Sequence, residues 1–157
     1  MFEESDVSLE VITLRLFIAA VCGLLIGWER ERKNKPAGLK THMLVCIGSA
    51  TFFLIFIEFA LGGLKDAEGL SPDPSRVIEG VITGIGFLGA GAFIRGGSDV
   101  SGLTTGAGIW VAGGIGLACG AGYFQIAGVV TTFTLLTLLI AGWIEMRFRA
   151  KEGSKSE

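Results

Sequence analysis

The chain has 157 residues, half of them apolar and 18% charged, with thirteen Lys and Arg against fifteen Asp and Glu. At a net charge of −2 no nucleic-acid partner is expected, and three cysteines, Cys22, Cys46 and Cys119, odd in number and scattered through apolar runs, make neither a disulfide framework nor a zinc site. The apolar residues arrive in runs of about the 20 residues that cross a bilayer. An all-α, multi-pass membrane protein forming a single domain is therefore expected, with the lipid bilayer as its first partner.

Five spans follow one another. The first, residues 9–28, comes after the acidic segment MFEESDVSLE. A signal peptide would have a basic start and a small-residue cleavage site, so this is expected to be a permanent helix. A basic loop, ERERKNKPAGLKTH, leads to the second span, 43–62. Asp73 before Pro74 reads as a helix cap with proline in the first turn, ahead of the third span, 77–94. The fourth, 103–122, and the fifth, 124–144, are separated only by the tight segment Cys119 to Phe124. Residues 145–157 form a short basic tail, with no soluble C-terminal domain expected. Trp28 and Trp143 suit helix ends at the membrane interface, whereas Trp110 lies well within its span and is expected to pack inside.

Ten of the thirteen basic residues fall in the loop after the first span, the loop after the third and the tail. Short Lys- and Arg-rich loops stay on the cytoplasmic side, so the N-terminus is expected outside and the C-terminus inside. The opposite side is acidic, which would concentrate cations such as Mg2+ near it.

Glycine is the third signal. Residues 77–127 hold fifteen of the twenty-five glycines. Such density weakens a helix in water by about 1 kcal/mol per residue relative to alanine, but lets helix backbones touch in lipid. The small-xxx-small pairs Gly23/Gly27, Gly80/Gly84, Gly102/Gly106 and Gly116/Gly120, with Gly86, Gly89 and Gly91, are expected to be packing faces. Gly84, Gly86 and Gly89 also match G-x-G-x-x-G, but within an apolar span and not after a strand, so no dinucleotide site is implied. A shift of 64 residues aligns Gly27 with Gly91, Gly38 with Gly102 and Thr41 with Thr105, suggesting two parallel hairpins.

The charges within spans that matter most are Arg15, Glu58 and Glu79. At about 1.5 Å of rise per residue their depths nearly match, and a charge in lipid costs at least about 2.5 kcal/mol. One expectation is an ion-paired lock between the first three spans. The other is an outer vestibule where Mg2+ bridges Glu58 and Glu79. His42, the lone histidine, reads as an interfacial hydrogen-bonding residue. No nucleophile elbow, phosphate loop or paired-His metal helix is present, so no catalytic residue and no enzyme is expected.

Taken together, GLLIGWERERKNKPAGLKTH, DPSRV and GIGFLGAGAFIRGGSDVSGLTTGAGIWVAGGIGLACG resemble the MgtC/SapB family over about residues 14 to 142. The resemblance implies a multi-pass protein of the bacterial inner membrane, linked to magnesium limitation and virulence. It also implies a regulator that contacts other membrane proteins, the ATP synthase among them, while a homodimer or a small Mg2+ channel or transporter is the alternative. The family's polar positions fall here on Arg15, Glu29, Arg30, Gly38, Leu39, Lys40, Thr41, Arg76, Arg95, Gly102, Leu103, Thr104 and Thr105. Thr41, Thr104 and Thr105 are expected to cap the returning helices, and Arg95 and Asp99 to hold the two hairpins in register. Many relatives carry a further soluble domain, and Glu79 stands where an uncharged residue is expected.

Overall fold

The computed structural model describes residues 6–63, 72–94 and 102–153. They contain five α-helices and no strand: α1 (Leu9–Arg32), α2 (Leu39–Glu58), α3 (Pro74–Ile94), α4 (Leu103–Ala121) and α5 (Phe124–Gly153). A π-helical turn, Phe59–Gly63, extends α2. Four stretches among the described residues are long and apolar enough to cross a membrane: Leu9–Arg32, Leu39–Gly62, Leu103–Ala121 and Phe124–Ile144. The 21-residue α3 covers the remaining expected span.

Helix α4 is the hub, packing against each of the other four. Some 61% of its spanning window is buried, against 22% for α1 and α2 and 11% for α5. Those three turn Phe17, Phe52, Phe133, Leu139 and Trp143 outward, as lipid requires of helices on a bundle's rim. The core joins Ala19, Cys22 and Ile26 of α1 to Cys46 and Ala50 of α2, Ile115 and Cys119 of α4, and Ala127 of α5. All three cysteines are small packing residues of that one cluster, and the Cys46 thiol donates to the Ala112 carbonyl at 3.2 Å. Trp110 corrects its expectation, since it is 52% exposed on the rim of α4.

Glycine explains how closely α1, α2 and α4 approach. A methyl group at Gly23 would sit 2.6 Å from the His42 carbonyl oxygen, and one at Gly27 2.5 Å from Leu39 Cα. On α4, a methyl at Gly116 would strike the Cys46 carbonyl, and one at Gly120 would lie 2.6 Å from the Ala50 oxygen. Backbone cannot step aside as a side-chain tip can, so hydrogen is the only substituent these positions accept. Gly102 and Gly106 are buried, and a methyl at Gly89 of α3 would make ordinary contact, 3.7 Å, with Gly106 Cα.

The rest of α3 departs from expectation. Around Gly80, Gly84, Gly86 and Gly91 nothing among the described residues lies within 4 Å of an added methyl group, so these glycines meet no other helix there. Helix α3 is held to α4 by larger side chains, with Val81 and Ile85 against Ile109 and Leu117, and the tip of Ile85 filling the space over Gly113. The 64-residue alignment therefore equates positions with different surroundings: Gly27 is pressed onto α2, its counterpart Gly91 is open.

The tight connection before α5 is a helix stop. Gly122 adopts φ 85°, the left-handed conformation that glycine takes at least cost. The Gly122 and Tyr123 amides then bond back to the Cys119 and Ala118 carbonyls at 3.0 and 2.8 Å. At α3 the Ser75 amide donates to Asp73 Oδ1 at 2.9 Å, with Pro74 in the first turn.

Candidate functional site: a buried polar cluster at the basic helix ends

Leaving the apolar core, α1 continues through WERER, and this last part of the helix is not released to solvent. Gly23 and Gly27 draw α2 against α1, so the next turn, bearing Glu29 and Arg30, is enclosed as well: Glu29 is 8% exposed and Arg30 4%. Burying charge is costly unless it is bonded. Lys33 Nζ meets Glu29 Oε1 at 2.6 Å and also donates to the Leu138 carbonyl of α5 at 3.2 Å. Arg30 Nη2 donates to Thr105 Oγ1 on α4 at 2.7 Å, a fully buried link across 75 residues of sequence. The returning helix is closed by Glu31, whose Oε2 accepts the Leu39 amide at 2.8 Å.

His42, wholly buried, completes the cluster. Its Nδ1 lies 3.0 Å from the Gly38 carbonyl oxygen. A carbonyl only accepts, so Nδ1 carries the hydrogen and Nε2 of the neutral ring presents a bare lone pair. That Nε2 faces α4 at Gly108, where a methyl group would lie 3.3 Å away. The ring also feels the charges of both Arg30 and Glu29. Among the described residues three buried side-chain polar atoms lack a hydrogen-bond partner: Glu29 Oε2, Arg30 Nε and His42 Nε2. All three belong to this one cluster.

Glu29, Arg30 and Thr105 were thus legible as polar positions, but their roles differ from those expected. None of the three threonines caps a helix: the N-cap positions are Gly38 and Gly102, the first amide of α2 is met by Glu31, Thr105 accepts from Arg30, Thr104 is exposed and Thr41 is half-buried. His42 was underestimated, because sequence alone gave no sign that Gly108 would face it. Lys40 and Arg76 are exposed. Arg95 and Asp99, and hence their proposed pairing, lie outside the described residues.

At the opposite, acidic end the intramembrane charges do not form the expected lock. Arg15 Nη1 donates to the Gly120 carbonyl at 2.6 Å, placing a cation on the negative end of α4. Glu58 accepts the Asp6 amide at 3.1 Å and the Val7 amide at 3.0 Å, one on each carboxylate oxygen, just before α1 begins. Glu79 is exposed on α3. Among the described residues the one ion pair is Lys33–Glu29, so Arg15 is paired with neither acid. Among the same residues no group of three or more His, Cys, Asp or Glu is placed to hold a metal ion. A Mg2+ bridge from Glu58 to Glu79 would also have to compete with the amides that Glu58 already serves.

The MgtC family model matches residues 16–147, from the start of this core to the end of α5's apolar run. The chain belongs to the MgtC family. It is 36% identical over 138 residues to YhiD of Escherichia coli K12, which its name labels a candidate magnesium transporter, a match covering 88% of this chain and 64% of that one. SapB of Bacillus subtilis is 42% identical over 89 residues, 57% of this chain and 38% of its own. MgtC of Brucella abortus is 39% identical over 117 residues, 74% and 45% respectively. The chain thus spans less than two thirds of the length of these MgtC-family relatives. No solved structure matches it.

Proposed function

We infer that this MgtC-family protein works in the bacterial inner membrane as a non-enzymatic regulator, acting under magnesium limitation and in virulence by direct contact with other membrane proteins. The ATP synthase is the partner that the family resemblance supplies. The observation that carries the reading is the unmet glycine face of α3. A methyl group at Gly80 or Gly84 of α3 or at Gly48 of α2 would meet nothing within 4 Å among the described residues, and all three border one apolar groove between the two helices, about 790 Å³ in volume, walled by Phe52, Ile55 and Leu88. In lipid, small residues lining a groove of this kind favour a helix of another subunit. A Mg2+ transporter is the second reading, supported by the name of the Escherichia coli relative.

Liposomes holding a Mg2+ indicator separate the two. The regulator reading expects no flux from the full chain, and co-purification with ATP synthase that Gly84→Phe abolishes while the protein stays folded. Flux that Glu58→Gln removes would establish transport instead.

A further inference from the structure

We propose that the cluster at the basic ends of α1, α2 and α4 is a proton-binding site, in which His42 Nε2 takes the proton and Arg30 and Glu29 govern its uptake. The inference is independent of the regulator reading, because it concerns the closed core and not the α2/α3 groove.

The Gly38 carbonyl fixes the tautomer, leaving a lone pair on Nε2. That lone pair is aimed at Gly108 with no donor to meet it, in a residue with no exposed surface. With the ring against α4, a proton is the ligand that enters without repacking. A metal ion suits the place poorly, since Arg30 puts a cation beside the ring.

The groups facing His42 come from each helix packed on it. From α1 they are Arg30, and Glu29 with its Lys33 partner; from α2, the Gly38 carbonyl; from α4, Gly108, with Thr105 one step removed behind Arg30, which its hydroxyl accepts from. Lys33, a third exposed, and its partner Glu29 mark the wet edge through which a proton from water arrives. The step forms an N–H bond at Nε2 and gives an imidazolium; no electron moves. The new cation repels Arg30, and Glu29 Oε2 is the carboxylate oxygen without a partner that answers it. Arg30 is what ties α1 to Thr105, so proton uptake loads the seam between α1 and the start of α4.

The chain has a single histidine, so 15N-histidine labelling reports this site without assignment. In the full chain in lipid nanodiscs, the Nδ1 signal is expected to be protonated and Nε2 bare at high pH. Lowering the pH across the range in which the protein stays folded should convert Nε2 to N–H in one step. Glu29→Gln and Arg30→Gln should displace that step in opposite directions, one removing an unlike charge and the other a like one. Amide exchange at Thr105 and Gly108 should accelerate through the same step. A ring protonated on Nε2 with Nδ1 bare, no step across the range, or a step that neither variant moves would overturn the proposal. If a variant fails to fold, the wild-type tautomer, step and exchange decide alone.

Discussion

Helices α1 and α3 both carry a glycine pair spaced four residues apart, Gly23/Gly27 and Gly80/Gly84, yet they use it in opposite ways. On α1, Gly23 and Gly27 bear directly on the backbone of α2, and no methyl group fits. On α3, Gly80, Gly84, Gly86 and Gly91 bear on nothing among the described residues, and the helix is held by Val81 and Ile85 instead. With two glycines α1 packs more closely than α3 does with five, so glycine content alone does not set packing. What separates them is the neighbour: the α2 backbone lies directly on glycines of α1 and of α4, whereas α3 is held to α4 mainly by Val81 and Ile85. The first arrangement is a finished core, the second a surface still open to a neighbour.

The largest effect tests that contrast directly. Gly27→Ala should destabilise the bundle by about 2 kcal/mol or more, at the upper part of the range for overpacking, because the obstacle is Leu39 backbone. Gly84→Ala should be neutral or stabilising by up to about 1 kcal/mol, since alanine is the better helix former and the space is empty. Reversible unfolding in mixed micelles measures both. Equal losses at the two sites would erase the distinction.

Next comes the acidic end, where a cation caps α4 from a neighbouring helix. Arg15→Met removes the donor to Gly120 and should cost about 1 to 2 kcal/mol, as for a partly buried charge at a helix C-terminus. Glu79→Gln, at an exposed position, should stay within about 0.5 kcal/mol. A double-mutant cycle between the two should show no coupling. A coupling above about 0.5 kcal/mol would restore the lock expected from their matched depths.

Much of the architecture was legible because the bilayer imposes length on helices before any tertiary contact forms. The apolar runs, the Gly122 region as a tight connection and Asp73–Pro74 as a helix start all follow from local chemistry. The targets of polar groups were not. Arg15 reaches Gly120 and Arg30 reaches Thr105 across 105 and 75 residues, and Glu58 turns back to the amides of Asp6 and Val7. These choices depend on which helices become neighbours, which glycine spacing permits without specifying. Glu29, Arg30 and Thr105 could be named as polar positions. Their convergence beside His42 required knowing that α4 packs against both α1 and α2.

The smallest effect falls where α3 enters the bundle. Asp73 is exposed, and hydrogen bonds from the Ser75 hydroxyl and amide, joined by nearby Arg76, hold its carboxyl below the ordinary value of 3.8. A depressed carboxyl contributes its stability fully above that ordinary value and loses it as pH falls through the lower, folded one. Asp73→Ala should therefore fray the first turn of α3 at neutral pH, read as faster amide exchange at Ser75 and Arg76, and make no difference at pH low enough to protonate the wild-type group. Because α3 is anchored further along by Val81 and Ile85, the fraying should stop short of those residues. Exchange that instead spread through the whole helix would mean that α3, with its glycine face uncovered, depends on its cap to stay in place.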